Sequence, residues 1–300
     1  MHGILLLDKP LHMSSAGAVA RAKHLFRARK AGHTGSLDPL ATGMLPICFG
    51  EATKFGAQLL DADKTYRVTL RFGERTPSAD LESAVVETRQ LPPYSEAQLL
   101  EALASFPREY HQVPPMHSAI KQEGKPLYEY ARAGITRERA ARTITIHEMS
   151  FIEWQRPDLI FDVGCTKGAY IRVLGEDLAA HLGTIGHLKA LRRLSVTPFL
   201  NAPIWSFDAL EGFSREHLIE LLLPVDAALS AWRRFDLPTD GVNALRQGRT
   251  ILLPGAPGKD VPGPVRIYAE GVGFLGLGEI ESPGRLVPRR LISLMNANEA

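Results

Sequence analysis

The stretch 31–50 constrains this chain more than any other part of its sequence. Glycine stands at 32, 35, 43 and 50, and proline stands at 39 and 46. Glycine tolerates backbone conformations that other residues avoid, and proline cannot donate a backbone hydrogen bond, so this density disfavours a regular helix or strand. The stretch therefore predicts a shaped loop that holds the carboxylate of Asp38 near its centre.

A carboxylate in such a loop has three ordinary uses. Asp38 can be a nucleophile, a general base, or the side chain of an Asx-turn that satisfies its own backbone. The loop sequence alone leaves these open, and the turn is the commonest. The glycines do not form a phosphate-binding loop, because no GK[ST] follows them.

The composition predicts a folded, intracellular protein. The chain has 300 residues, 45% of them hydrophobic, and a formal net charge of +2. It can bury a core, and its net charge does not by itself indicate nucleic acid. Cys48 and Cys165 are far apart in apolar settings, which favours reduced thiols and a cytoplasmic location. The apolar run GILLL is too short for a signal peptide, and no stretch approaches membrane-spanning length.

Hydrophobic periodicity predicts a mixture of strands and helices. The clearest pattern is the alternation over Lys64–Phe72, which indicates a strand with one buried face. A strand over Gly3–Leu7 precedes a helix that Ser14 or Ser15 can cap. Other strands are expected near 143–153, 158–165 and 189–196, and helices near 51–60, 95–105, 126–133, 170–182 and 214–222. Since no strict βαβ repeat appears, we expect an α+β fold with a largely antiparallel sheet.

Two further changes in composition suggest how the chain is organised. The segment 107–142 is rich in proline, histidine and charge, and is typical of an insertion that lies over a sheet and binds. After about residue 232 the sequence becomes short apolar strands divided by glycine and proline, which favours a small β-barrel. We therefore expect one domain over 1–231 and a second over 232–300.

Basic residues form two local groups, either of which can be an ordinary solvated face or a phosphate-binding surface. The first group precedes the glycine-rich stretch and the second lies near residue 190. Their members are Arg21, Lys23, Arg27, Arg29 and Lys30, and then Lys189, Arg192 and Arg193.

Long motifs in the sequence resemble a known family, the tRNA pseudouridine-55 synthases called TruB in bacteria. The resemblance covers nearly the whole chain. It rests on GILLLDKP (3–10), AGHTGSLDPLATGMLPICFGEATKF (31–55), DKTYRVTLRFGERT (63–76), PPMHSAIKQEGKPLYEYAR (114–132), CTKGAYIRVLGEDL (165–178), LRRLSV (191–196) and, more loosely, GLGEIESPGRLVPRRL (276–291). It implies a pseudouridine-synthase core followed by a small C-terminal PUA domain, and a cofactor-free isomerase acting on the T-arm of tRNA. We expect a monomer that needs no protein partner.

The resemblance also implies roles for individual residues. Asp38 matches the catalytic aspartate, Tyr66 the active-site tyrosine, and Arg172 the arginine that pairs with the aspartate. Substrate contacts are implied for His33, Tyr170 and Leu191. Without the resemblance, Tyr66 and Leu191 would be assigned to the core.

One motif departs from the family pattern. The family has T-D-T-x-D-x-x-G from the position of Thr76, whereas this chain has TPSADLES. Asp80 is retained as a candidate contact, but Pro77 and Ser83 replace an aspartate and a glycine. The departure bears on the local turn and on the contact of Asp80.

The implied chemistry suits these residue types. A carboxylate can attack the ribose at C1′ or add to the base at C6, and the family is generally assigned the ribose route through a glycal. Asp38 must be ionised to act, and Arg172 offers the fixed guanidinium that favours this. A uridine in a folded loop must also be extruded, and His33 is the candidate wedge. Lys9 and Lys167 are candidates for phosphate contacts.

Two other functions compete with the synthase. The first is a tRNA-folding chaperone, in which catalysis is secondary. The second is a nucleoside or glycan hydrolase, which would need Asp80 or Asp177 to activate water. A zinc site is disfavoured, because the cysteines lack CxxC spacing and the histidines lack HExxH spacing.

Overall fold

The computed structural model describes residues 1–118, 120–237, 239–253, 261–282 and 284–293. The strands are β1 Gly3–Lys9, β2 Ala31–His33, β3 Ala41–Phe49, β4 Lys64–Phe72, β5 Glu74–Arg75, β6 Glu87–Thr88, β7 Glu109–Gln112, β8 Lys121–Gln122, β9 Lys125–Pro126, β10 Arg142–Gln155, β11 Asp158–Cys165, β12 Gly186–Val196, β13 Arg233–Leu237, β14 Ile251–Leu252, β15 Gly263–Ala269, β16 Gly273–Glu281 and β17 Arg285–Leu291. The helices are α1 Ser15–Leu25, α2 Gly56–Leu60, α3 Glu96–Ser105, α4 Leu127–Arg132, α5 Ile171–His181, α6 Phe207–Glu211, α7 Arg215–Glu220 and α8 Thr239–Arg246, with 3-10 turns at Gly50–Lys54 and Ala227–Leu229.

An eight-stranded sheet forms the centre of the larger part of the molecule. Its order is β1-β3-β12-β4-β11-β10-β7, and β2 pairs with β3 beside this path. Neighbouring strands are antiparallel except for β3 and β12, which run parallel. The expected α+β class with a mixed, largely antiparallel sheet is therefore confirmed.

The helices expected from the sequence cover the sheet. Ser14 caps α1 by accepting a hydrogen bond from the Gly17 N–H, as the sequence suggested. Helix α1 buries Ala18 and Ala22, and the following Phe26 stacks on Phe49 of β3 with ring centroids 5.0 Å apart. These contacts fix the end of α1 against the strand that leads out of the glycine-rich stretch.

The prediction that 31–50 is entirely loop is wrong, because most of it is strand. Strand β3 is buried along nearly its whole length, and this burial outweighs the poor strand propensity of its glycine and proline. Gly43 has a positive φ of 96°, and a Cβ there would lie 2.2 Å from the backbone oxygen of Arg193. Glycine thus lets β3 approach β12 closely, and only Thr34–Leu40 is left as a loop.

The segment 107–142 contributes an edge strand to the large sheet. Strand β7 pairs with β10 at the sheet edge, and the β8–β9 hairpin and α4 follow. No helix in the described ranges is long and apolar enough to cross a membrane.

The C-terminal strands form a second sheet with its own core. The order is β13-β15-β16-β17-β14, with β13 parallel to β15 and the other pairs antiparallel, giving a half-barrel. Helix α8, which the strand pattern did not predict, buries Val242 and Leu245 against this sheet. The half-barrel packs on the larger part of the molecule through Phe55 and Phe274, whose ring centroids are 5.4 Å apart.

Candidate active site

Asp38 lies in the short loop between β2 and β3, where it lines a cleft. The loop is anchored beside it, because the buried Ser15 hydroxyl accepts from the Leu37 N–H at 2.8 Å and donates to the Leu37 oxygen at 2.9 Å. The Ala41 N–H also donates to the Asp38 backbone oxygen at 3.0 Å. The loop therefore has a fixed shape, and the Asp38 side chain remains 45% exposed to the cleft.

Arg172 pairs with Asp38 and is held from three directions. Its Nε lies 3.0 Å from Asp38 Oδ2, while the arginine side chain is only 7% exposed. Nη1 donates to the Ser78 oxygen at 3.0 Å, and Nη2 donates to the His117 oxygen at 2.7 Å. The guanidinium fork is thereby immobilised, and it fixes one oxygen of the carboxylate that faces the cleft.

Asp80 is the second carboxylate near Arg172, but it is buried and committed to its own turn. Its Oδ2 lies 3.6 Å from Arg172 Nε, and its Oδ1 accepts from the Glu82 N–H at 2.9 Å. These positions suit a residue that orients Arg172. Asp177, the other acid considered for activating water, is absent from the described lining of the cleft.

Tyr66 lies on the inner face of β4 and lines the cleft beside Asp38. Burial raises the pKa of its phenol, although the adjacent guanidinium of Arg193 acts in the opposite direction through its charge and a hydrogen bond. The phenol is therefore neutral near pH 7 and can act as a donor. In the sheet register, Tyr66 is opposite Arg193 of β12, which sets this contact.

Tyr170 and Leu191 line the same cleft. Tyr170 immediately precedes α5, where its N–H donates to Gln112 Oε1 at 2.7 Å and its carbonyl accepts from Gln112 Nε2 at 3.0 Å. Burial raises the pKa of the Tyr170 phenol. Leu191, opposite Ala41 in the sheet, supplies an apolar wall.

His33 lies at the end of β2, next to the Asp38 loop, and is half-buried. Its Nδ1 is buried without a hydrogen-bond partner among the described residues. Burial and the charge of Arg193 both lower its pKa, which favours a neutral ring. The described lining of the cleft does not include His33.

The two candidate lysines differ in their surroundings. Lys167 is exposed and pairs with Asp61 at 2.9 Å, so it is accessible to a phosphate. Lys9 is completely buried, and its Nζ donates to the carbonyl oxygens of Pro10 at 2.9 Å and Met13 at 2.6 Å. A phosphate contact for Lys9 is therefore wrong in this structure, because its ammonium group supports the backbone.

The three basic residues near position 190 lie on β12 and have different partners. Lys189 pairs with Asp158 at 2.7 Å and Arg192 with Asp8 at 2.8 Å. Arg193 instead points into the molecule, where it is 1% exposed and donates to the carbonyl oxygens of Met44 and Gly35. This buried role of Arg193 was not predicted from the sequence, although side-chain alternation along β12 places Arg192 and Arg193 on opposite faces.

Lys64 is a second cleft residue whose place in the site was not predicted from its sequence pattern. It lines the cleft, and desolvation by burial lowers its pKa to about 8. The described residues contain no group of three or more histidine, cysteine or acidic side chains arranged to hold a metal. The chemical groups that meet at the cleft are thus one accessible carboxylate, its guanidinium partner, a neutral phenol and an apolar wall.

Three family models match consecutive parts of the chain. They are the N-terminal domain of TruB family pseudouridylate synthase over 23–171, the C-terminal domain of tRNA pseudouridylate synthase B over 172–230, and the C-terminal region of pseudouridine synthase II TruB over 235–292.

Relatives and solved structures agree with these matches. A protein named tRNA pseudouridine synthase B from Actinobacillus pleuropneumoniae is 45% identical to this chain, over 98% of this chain and 97% of that protein. A protein of the same name from Nitrosococcus oceani is 46% identical, over 97% of this chain and 95% of that protein. A chain in the crystal structure of a Cbf5-Nop10-Gar1 complex superposes with a TM-score of 0.73 at 23% identity, over 97% of this chain and 84% of that chain, which shows a shared fold. The relatives and the family models confirm the resemblance drawn from the motifs, and the chain belongs to the TruB family of pseudouridylate synthases.

Proposed function

We propose that this protein is a tRNA pseudouridine synthase that isomerises the T-loop uridine at position 55, with Asp38 as the nucleophile. The observation that carries the proposal is the 3.0 Å pair between Arg172 Nε and Asp38 Oδ2, two residues that line the cleft. The relatives named tRNA pseudouridine synthase B support tRNA as the substrate.

The reaction needs no co-reactant. The bond between uracil N1 and ribose C1′ breaks, the uracil turns, and its C5 joins C1′. C5 then loses its proton and N1 gains one, so the product is an isomer of the substrate. In the ribose route, Asp38 acts on the sugar while the departing uracil carries the electrons of the broken bond.

Arg172 and Tyr66 prepare this step. Arg172 fixes Asp38 Oδ2, so the other carboxylate oxygen is free to face the sugar. Tyr66 stacks on the extruded base, and its neutral hydroxyl donates a hydrogen bond to the reacting nucleotide. Leu191 packs against the uracil and Tyr170 orients the nucleotide at the entrance of α5.

RNA recognition uses groups outside this centre. His33 braces the gap that the extruded uridine leaves, and Lys167 contacts a phosphate of the T-arm. We assign the catalytic domain to 1–231, with the insertion 107–142 on the RNA side, and a PUA-like RNA-binding domain to 232–300. A monomer acting on cytoplasmic tRNA is part of the same proposal.

Asp38→Asn tests the proposal directly. The variant is expected to release no tritium from tRNA labelled at uridine C5, while it binds tRNA with the affinity of the wild type. Asp208→Asn, which changes an exposed aspartate on α6, is the matched control and retains full activity. Mapping pseudouridine in the product locates the modified base. Normal tritium release by Asp38→Asn, or a product base outside the T-loop, would refute the proposal.

The same variant separates catalysis from tRNA folding. A protein whose main task is to refold tRNA keeps its folding yield when Asp38 is changed to asparagine. Free uracil as the product would instead indicate a hydrolase.

A further inference from the structure

The turn between β5 and β6 is closed by a pair of serines. Ser83 Oγ accepts a hydrogen bond from the Ser78 N–H at 2.9 Å and lies 2.6 Å from Ser78 Oγ. This pair therefore holds the turn in a way that a glycine at 83 cannot.

The closed turn presents two acceptors to one guanidinium. The Ser78 carbonyl accepts from Arg172 Nη1 at 3.0 Å, and Asp80 Oδ2 lies 3.6 Å from Arg172 Nε. Ser78 and Asp80 are both buried, at 4% and 5% exposure. The position of the turn thus sets the position of the Arg172 guanidinium, through two contacts from which water is largely excluded.

The backbone of the turn needs such closure. Ala79 has a φ of 60°, a left-handed conformation that costs a non-glycine residue about 1 kcal/mol. It is held by its N–H, which donates to the Thr76 oxygen at 3.1 Å, and by its carbonyl, which accepts from the Leu188 N–H at 2.9 Å. The Thr76 hydroxyl donates to the Asp80 oxygen at 2.7 Å. Ser83 closes the far side of the turn, where these bonds do not reach.

We propose that Ser83 is a positioning residue of the isomerisation, which acts through Ser78 and Arg172 on the carboxylate of Asp38. The inference rests on the proposed function. When the Ser83 hydroxyl is removed, the Ser78 N–H loses its acceptor and the turn relaxes. Arg172 then shifts relative to Asp38, and the fraction of molecules with a correctly oriented carboxylate falls.

The test compares Ser83→Ala and Ser83→Gly with the wild type in single-turnover reactions on tRNA. Both variants are expected to lower the rate constant at saturating enzyme by about three- to tenfold, the range that one hydrogen bond supports. The dissociation constant for tRNA stays unchanged. Ser83→Thr, which retains a hydroxyl, restores the wild-type rate.

The matched control is Ser214→Ala, which removes a serine hydroxyl that accepts from the His217 N–H at 3.3 Å at the start of α7. It leaves the rate constant and the dissociation constant for tRNA unchanged. If Ser83→Ala and Ser83→Gly do not fold, Ser78→Ala removes the contact between the two hydroxyls, together with a 3.4 Å hydrogen bond from Ser78 Oγ to the Asp80 backbone oxygen, and is expected to show the same fall in rate.

Three results would overturn the inference. The first is a rate constant of Ser83→Ala and Ser83→Gly within twofold of the wild type. The second is an equal fall in the rate constant of Ser214→Ala, and the third is a loss of tRNA affinity without a change in the rate constant. A wild-type protein that converts no uridine refutes the proposed function itself. A wild type that converts uridine, with Ser83 variants equal to it, refutes only the role of Ser83.

Discussion

Replacing Arg172 by lysine should damage both stability and catalysis, whereas replacing Asp38 by alanine should damage only catalysis. The two residues form one pair, but their surroundings differ. Arg172 is 7% exposed and Asp38 is 45% exposed. An ion pair with one solvated partner contributes little to stability, typically about 1 kcal/mol or less.

The expected loss in Arg172→Lys comes from the groups behind the pair. Arg172 donates to the Ser78 oxygen at 3.0 Å and to the His117 oxygen at 2.7 Å. A lysine has a single ammonium group on a flexible chain and cannot reproduce this fork. Each buried acceptor left without a partner costs about 1–3 kcal/mol. With one acceptor lost completely and the other weakened, the free energy of unfolding should fall by about 2–4 kcal/mol.

Urea unfolding measures the stability of both variants, and tritium release from tRNA measures their catalytic activity. Asp38→Ala should unfold within about 1 kcal/mol of the wild type and release no tritium. Arg172→Lys should be clearly less stable and slower by about 100-fold or more, because the carboxylate loses its fixed partner. Equal destabilisation by the two variants, or a stable Arg172→Lys, would show that the ion pair and not the backbone acceptors carries the energy.

Three other perturbations follow from the structure. Tyr66→Phe should lower turnover by at least about tenfold with unchanged tRNA affinity, as single-turnover and binding assays can show; a wild-type rate would exclude a role for the hydroxyl. Burial lowers the pKa of Lys9 to about 8. Between pH 8 and the ordinary lysine pKa, the unfolded chain therefore binds more protons than the folded one. The free energy of unfolding should rise with pH from about 8 to 9.5, and it should rise less steeply in Lys9→Met. The same pH dependence of the unfolding free energy in both proteins, measured with urea, would contradict this. Glutamate at Lys23 and Arg27, which line a basic groove, should weaken tRNA binding and reduce its salt dependence without changing the rate at saturating enzyme. A binding isotherm identical to that of the wild type at low salt would exclude this surface.

Local patterns predicted the secondary structure well where a single signal dominated. The alternation over Lys64–Phe72 corresponds to β4, and the expected helix near 95–105 is α3, whose Ser95 and Gln98 form a capping box. Both signals act within a few residues, so they can be read without knowledge of the fold. The family motifs likewise predicted membership of the TruB family, which the comparisons confirm.

Strand β3 shows where local patterns fail. Glycine and proline punctuate 41–49, and their propensity favours loop. Burial between β1 on one side and β2 and β12 on the other reverses that preference. Because those neighbours lie elsewhere in the chain, no window of sequence contains the energy that decides the outcome.

The basic residues show the same limit for the site. Arg192 and Arg193 are adjacent, yet one pairs with Asp8 near the surface and the other is buried beside Tyr66. Lys9, a phosphate candidate by sequence, is enclosed by backbone carbonyls. The charge of a side chain is a property of the sequence, but its solvent and partners are set by packing.

The sequence by itself determined the family, the class of fold and the identity of the candidate carboxylate, because these depend on residue types and their spacing. The tertiary structure decided which groups meet that carboxylate. Arg172, Ser78 and His117 come from separate parts of the chain, and their distances depend on how helix α5, the β5–β6 turn and the insertion pack together. Packing energy is summed over such distant contacts, so the geometry of the site becomes visible only in the folded molecule.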